Sequence, residues 1–497
     1  MTAILQLACG YKTREVAKVK KRNNVLPKLI ALTMVPALAF TTACSSKTDG
    51  GSAGGSASPG AASNSPQAEK KVKLKLVSYS LTTESKWERI YKRWQEKHPN
   101  IEVEYKEFPN DEAEYYKALD IAIAGNEYMD VIVTDNPNAV QRGKQGVFLD
   151  VNTLAAKDNF DLVENFGSIM KDIQAEGKNY YLPYNINFNL LYYNKDMFDA
   201  KGVKYPDENT TYLELVEMAK KLTGGEGANK VYGLALNGGS NAYATLLPLE
   251  NTGWNWVKQD GTPNFSDQRV KDAFTIYKEL FDSGAAPSFV TMGLEKINNR
   301  LLFAQKKAAM IINNWWTPVQ MSQFRFNDKA VWQNGIDFKI GATYAPRFDS
   351  QATPKMQNVT AGYGYGVSAK TKYPQESYEF AKFLATECAD IFGLISSYKK
   401  ADPNQTADIF NKFLDKDKVE HKDIYPQEVV DMIKKVNTET IPATSTGTMP
   451  SVDAGVKKAL QDQVNRDSVE FYSGKTPIDD FLKKLQTNAE DTVKKLK

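Results

Sequence analysis

Beyond its first seventy residues the chain alternates between two hydrophobic periods. Val72-Lys73-Leu74-Lys75-Leu76-Val77 places an apolar side chain at every second position, the period of a strand. Thr82-Thr83-Glu84 then opens a stretch in which Trp87, Ile90, Tyr91 and Trp94 recur three and four apart. That spacing predicts an amphipathic helix, with Thr82 or Thr83 as its cap and Glu84 in its first turn. His98-Pro99-Asn100 ends it, and Ile101-Glu102-Val103-Glu104-Tyr105 alternates again. A second helix is expected over about 112–125, followed by Asp130-Val131-Ile132-Val133-Thr134, an apolar run suited to a buried strand. This order implies an α/β unit with a parallel sheet. Ligands of such sheets lie outside the carboxyl ends of the strands. Tyr79, at the end of the first strand, and Asp135 and Asn136, at the end of the third, are therefore candidate contacts.

A second alternation follows. Leu190-Leu191-Tyr192-Tyr193 reads as a strand, 211–222 as a helix and Tyr232-Gly233-Leu234-Ala235-Leu236 as a strand. Helices near 267–283 and 297–306 precede the apolar run Ala308-Ala309-Met310-Ile311-Ile312. After about residue 400 the pattern is largely helical and ends in a Lys-rich amphipathic segment. The 427 residues from 71 onward exceed what one ordinary core organises, so two lobes are expected.

The first seventy residues read as an address. Seven Lys and Arg against the single Glu15 give residues 1–43 a net charge of +6. The basic stretch is followed by an apolar run from Leu29 that is too short to span a bilayer comfortably and ends in small residues. That is the pattern of an export signal. Phe40-Thr41-Thr42-Ala43-Cys44-Ser45 resembles the lipobox of bacterial lipoproteins, with Thr41 where Leu is usual. The resemblance implies cleavage before Cys44, a lipid on its sulfur and a mature chain starting there. The alternative is a plain secretory signal with an incidental cysteine. No Met other than Met1 precedes the apolar run, which points to a translation start downstream at a codon other than Met. Residues 44–70, rich in Gly, Ser and Ala, bury too little to offset ordering and are expected to act as a flexible tether.

Without its basic leader the chain carries a net charge of −3, which gives no footprint for nucleic acid. Three cysteines (Cys9, Cys44, Cys388) and two histidines (His98, His421) supply neither a disulfide scaffold nor a multi-histidine metal centre. No cofactor is expected. The chain has no P-loop, no HExxH and no GxSxG; paired carboxylates of a glycosidase cannot be judged from spacing among 60 acids.

Between Gly177 and Phe198 the sequence Gly-Lys-Asn-Tyr-Tyr-Leu-Pro-Tyr-Asn-Ile-Asn-Phe-Asn-Leu-Leu-Tyr-Tyr-Asn-Lys-Asp-Met-Phe resembles the family 1 extracellular solute-binding proteins. These are the carbohydrate-capturing, maltodextrin-binding-protein-like lipoproteins of bacterial ABC importers. Further similar segments follow in the family's order. They are Pro137 to Asp150, Phe303 to Trp316 around Ala308-Ala309-Met310, Gly364-Tyr365-Gly366-Val367-Ser368 with Ala381-Lys382-Phe383-Leu384, and Met449-Pro450 before the helical tail. The resemblance implies a two-lobed α/β fold of the periplasmic binding protein type II, each lobe a mixed or parallel sheet flanked by helices. Carried onto this chain, one lobe takes 71–186 and 345–400 and the other takes 187–344 and 401–497. Hinge strands near 184–187 and 340–344 would join them, with the ligand between.

Aromatic pairs supply the candidate chemistry. Trp254-Asn255-Trp256 and Trp315-Trp316 hold four of the seven tryptophans, and a flat indole suits the C–H face of a sugar ring. Any one of them can equally anchor a core, so roughly one ligand-facing indole per run is expected. Asn237 and the amides beside Trp315 offer paired donors and acceptors for hydroxyls. Tyr184 and Asn187 stand on the expected crossing strand, where alternation opposes both pointing into the cleft. Tyr363 and Tyr365 flank a glycine on one extended segment. Glu84 and Asp135 can accept hydroxyl bonds or cap helices. His98 reads as a helix-end residue.

The expected function is a non-enzymatic receptor that captures a carbohydrate, an oligosaccharide above all, and delivers it to an ABC permease. It is expected to be a monomer held by a lipid on Cys44 at the outer face of a bacterial membrane, of Gram-positive type. The alternatives are a receptor for a peptide or polyamine, a sensor module for a membrane kinase and a secreted glycosidase.

Overall fold

The computed structural model describes residues 71–79, 84–109, 112–236, 242–295, 297–317, 321, 337–350, 352, 356–357, 359–392, 394–401, 427–439, 441–442, 452 and 454–496. The export signal, Cys44, the tether, the Thr82/Thr83 cap and Asn237 lie outside the described residues.

Strand β1 (Val72–Tyr79), helix α1 (Glu84–Lys97), β2 (Ile101–Phe108), α2 (Glu112–Ala124), β3 (Val131–Thr134) and α3 (Asn136–Lys144) follow in the order the periodicity predicts. β1 lies between β2 and β3 and runs parallel to both, because each return passes through a helix. Short β4 (Leu182–Pro183) and β5 (Ile186–Asn187) then lead to β6 (Asn189–Asn194), the first strand of a second sheet. That sheet is completed by β7 (Tyr232–Ala235), β8 (Ala308–Asn314) and β9 (Ile340–Tyr344), in the order β7-β8-β6-β9. Between β6 and β7 runs α4 (Tyr212–Leu222); α5 (Gln268–Asp282) and α6 (Asn299–Ala304) come between β7 and β8. Thr211 starts α4 with a reciprocal cap: its hydroxyl accepts from Glu214 N, and Glu214 accepts from Thr211 N at 2.8 Å.

After β9 come β10 (Met356–Gln357), β11 (Thr360–Ala361) and β12 (Gly364–Val367), followed by α7 (Pro374–Glu387). β12 returns to the first sheet, antiparallel between β3 and β4. The C-terminal part holds α8 (Gln427–Glu439), β13 (Ile441–Pro442), α9 (Ala454–Tyr472) and α10 (Ile478–Leu496). In α10, Phe481, Leu485, Ala489 and Val493 recur every fourth residue and are all buried, which turns the Lys-rich face outward.

The first sheet has one core, from Val72 through Tyr184 and again from Tyr365 to Phe392. The second sheet is buried on both faces. Leu191 and Tyr193 of β6 point into one core, with Met310, Ile312 and the helices α9 and α10. Leu190 and Tyr192 point into the other, with Ile311, Tyr344 and Val429 of α8. Burial on both sides is why these strands read as continuous apolar runs.

The chain passes from the first sheet to the second between β4 and β6 and returns between β9 and β12. Residues 340–344, expected at the second crossing, form β9, the outermost strand of the second sheet beside β6, and the passage lies beyond Tyr344. On the two passages β5 and β11 pair antiparallel, Asn187 opposite Thr360 and Ile186 opposite Ala361. Both passages attach to the same edge of each sheet. In the first sheet that edge holds the carboxyl ends of β1, β3 and β4 and the start of β12. In the second it holds the carboxyl ends of β7, β8 and β9 and the start of β6.

Candidate functional site

The strand order directs attention to these two edges, where side chains leave the sheets beside the passages. On the first edge β1 ends at Tyr79. Its ring lies 4.7 Å from that of Tyr115 and meets Tyr363 edge-on at 5.6 Å. Burial pushes the Tyr79 phenol far above its ordinary range, and neighbouring Tyr363 adds to the shift. Tyr79 therefore stays a neutral donor and acceptor. Its buried hydroxyl has no partner of good hydrogen-bond geometry. Tyr363 is half-buried and packs against the first core from its rim.

β3 ends one residue before Asp135, which caps α3. One carboxylate oxygen accepts from Asn138 N at 3.0 Å, and Asn138 Nδ2 donates to both oxygens. Asp135 thus serves the helix end, and Pro137, with no N–H to satisfy, fits the first turn. Asn136 is the first residue of α3, and its Oδ1 is buried without a partner. Glu84 is the first residue of α1.

On the passage itself, Tyr184 N donates to Tyr363 O at 2.9 Å and Gly362 N donates to Asn185 O at 2.8 Å. A Cβ on Gly362 would stand 2.4 Å from the Asn185 amide, so only glycine permits this approach. The Tyr184 ring is fully buried, 5.3 Å from Tyr365 and 5.0 Å from Phe392. The Tyr184 hydroxyl and Asn185 Oδ1 nevertheless have no partner. Asn187 is half-buried, so Tyr184 turns to the core and Asn187 to the rim, as alternation requires. Tyr365, expected beside Tyr363 as a contact, is buried in β12 at 2% exposure.

On the second edge β8 ends at Asn313 and Asn314. Trp315 follows, with its N donating to Phe188 O at 3.1 Å and its Nε1 donating to Ile186 O at 2.9 Å. This indole is buried and ties the second sheet to the passage. Trp316 meets it edge-on at 5.6 Å and is only half-buried, so of this run the second indole is the one left at the rim. Trp254 and Trp256 are placed differently from the expectation that one offers an open face. They are 3% and 1% exposed, 5.3 Å apart, and pack with Phe265 in the second core. Trp254 Nε1 donates to Asn264 O at 3.0 Å, and Lys457 of α9 lies over the Trp256 ring at 6.0 Å. The physical reason is that the loop after the 3-10 turn Ala242–Thr252 lies under α9 and needs large apolar anchors.

Two side chains at these edges were not among the expected contacts. Asn185 sits inside the Tyr-Asn-Ile-Asn passage already singled out, and its spacing from Asn187 placed it on the same side. Arg300 of α6 donates from Nη2 to Asn313 Oδ1 at 3.1 Å, and its Nε is buried without a partner. The available signal was that Phe303 and Ala304, its helical neighbours, are apolar and provide no acid. Among the described residues no group of three or more His, Cys, Asp or Glu could hold a metal ion.

A family model described as bacterial extracellular solute-binding protein matches residues 79–390. A binding protein of Brucella abortus is 26% identical over 248 residues, 48% of this chain and 57% of its own length. The chain thus spans little more than half of that relative. The mannitol-binding protein of Pseudomonas aeruginosa is 24% identical over 305 residues, 60% of this chain and 66% of its own. Among solved structures, a sugar transporter from Rhizobium etli in an open conformation superposes with a TM-score of 0.66 at 21% identity, covering 86% of this chain and 100% of that one. Its fold is the mixed α/β, two-sheet arrangement of type II periplasmic binding proteins, and the same arrangement is found here. With the family's model covering the second sheet, the first sheet apart from most of β1 and both passages between them, the chain belongs to the bacterial extracellular solute-binding proteins.

Proposed function

We propose that the protein captures a carbohydrate between two lobes, each carrying one sheet, and hands it to an ABC permease without altering it. The lobes are 71–186 with 345–400, and 187–344 with 401–497. The observation that carries this reading is the company kept at the joined sheet edges. Half-buried Tyr363 and Trp316 stand at the rim, beside Tyr79 and the buried polar atoms that lack partners at Asn136, Tyr184 and Asn185. Natural proteins rarely leave such groups unpaired, and a sugar offers apolar C–H faces and hydroxyl pairs together. Asn187 completes the polar set. Similarity to a relative named for mannitol points to the same class of ligand.

Binding would act by population shift: a solute that touches both edges at once favours closure by its differential affinity for the closed form. The passages with β5 and β11 provide the hinge. A lipid on Cys44 and the tether 44–70 would hold the lobes near the permease at the outer membrane face. A Cys44→Ser chain found in the aqueous phase on detergent partition, with the parent chain in the detergent phase, is the expected outcome for the anchor.

The test of function is calorimetry and tryptophan emission with a panel of polyols, neutral oligosaccharides and acidic oligosaccharides. Binding of one class, weakened about fivefold or more by Trp316→Ala, is expected, since a stacked ring contributes roughly 1–3 kcal/mol. Saturating glycans that change neither heat nor melting temperature would overturn the reading.

A further inference from the structure

Arg300 stands at the second sheet edge without an acidic partner among the described residues. Its guanidinium has five N–H donors. One bond is made, from Nη2 to Asn313 Oδ1 at 3.1 Å, and the buried Nε has none. The side chain is only partly exposed, and burial holds its pKa below the ordinary value. Nearby Tyr192 is buried and neutral, with its hydroxyl donating to Asn314 O at 3.2 Å. Asn299, beside Arg300, is buried and its Oδ1 is also without a partner. In the first sheet's layer the buried Arg142 of α3, whose Nε also lacks a partner, does have an acid: its Nη2 lies 2.7 Å from Asp120 Oδ1.

A half-buried cation kept short of counter-charge is costly in the empty protein. The cost is tolerated where a ligand brings the opposite charge. Arg300 lies where β8 delivers Asn313, Asn314 and the Trp315-Trp316 pair to the cleft edge, and its planar fork matches a carboxylate. We propose that Arg300 is a specificity-determining residue and that the captured carbohydrate carries a carboxylate, as a uronate does, which pairs with this guanidinium. The inference rests on the carbohydrate reading and narrows it.

The test uses the full chain in detergent, with uronate oligosaccharides and the same oligosaccharides after carboxyl reduction as probes. The parent chain is expected to bind a uronate at least tenfold tighter than its reduced counterpart. Arg300→Gln is expected to lose on the order of ten- to hundredfold for the uronate, the range for a hydrogen bond to a charged group, and little for the reduced form. Arg300→Lys, which keeps charge but not the fork, should recover part of the loss. Arg300→Met should melt no lower than the parent without ligand, which separates a ligand-binding cation from a structural one. Equal affinity for both probes, or a uronate affinity unchanged in Arg300→Gln, overturns the inference and leaves the carbohydrate reading standing. Absence of binding to any glycan removes both.

Discussion

Tyr184→Phe separates a group kept for a solute from one kept for the fold. The ring fills the space between Tyr365 and Phe392, at centroid distances of 5.3 and 5.0 Å, and phenylalanine preserves that packing. Only the hydroxyl is removed, and it is buried with no hydrogen-bond partner. An unpaired buried polar group costs about 1–3 kcal/mol, so the empty variant should be as stable as the parent or up to about 1 kcal/mol more stable. If the hydroxyl meets a sugar hydroxyl on closure, affinity should fall by about 0.5–1.5 kcal/mol, roughly two- to twelvefold. Tyr115→Phe is the control. Its hydroxyl, equally buried, donates to Val133 O at 2.7 Å. That variant should lose about 1 kcal/mol of stability and little affinity. Urea unfolding without ligand gives the first quantity and titration calorimetry the second. A Tyr184→Phe chain that is destabilised like Tyr115→Phe and binds the solute unchanged would refute the reasoning.

Other outcomes follow from packing and charge. A Cβ on Gly233 would stand 1.9 Å from the backbone oxygen of Ala219, which cannot swing aside, so Gly233→Ala should cost about 1–3 kcal/mol in urea unfolding by prising β7 from α4. His98 stacks on Trp94 at 3.7 Å, and burial lowers its pKa. A base with a depressed folded pKa contributes stability that is present above its unfolded value, about 6.5, and lost as pH falls toward the folded one. His98→Gln should flatten the stability profile in that window. Asp267 caps α5, and its pairing with Arg269 lowers its carboxyl pKa. Its contribution is present above about pH 3.9 and lost as pH falls through the folded value. In acid titration followed by circular dichroism, Asp267→Asn should remove that part of the decline.

Much of the architecture was legible because it is written in local periods. Alternation over 72–77 and 101–105 marked β1 and β2, and the helical pattern over 211–222 marked α4. The site was legible only in part. The ends of β1 and β3 pointed to Tyr79 and Asn136, since strand order alone says which ends carry loops. Asp135 was equally predictable as cap or contact, and the structure uses it as a cap. Arg300 was marked locally only by its apolar helical neighbours, a weak signal, because its hydrogen-bond partner among the described residues, Asn313, comes from another element.

The amino-acid sequence by itself determined the alternation of strand and helix and the family, because each rests on short-range spacing or on motif order, whereas the second passage lies beyond the segment expected to form it. It could not choose among equivalent aromatics. Trp315 and Trp316, or Tyr363 and Tyr365, are near neighbours of one chemical type, yet one of each pair is buried and the other stands at the rim. That choice belongs to the tertiary structure, because an indole or phenol is as well suited to a core as to a sugar. Which it meets depends on elements a hundred or more residues away, as Trp315 bonding to Ile186 illustrates.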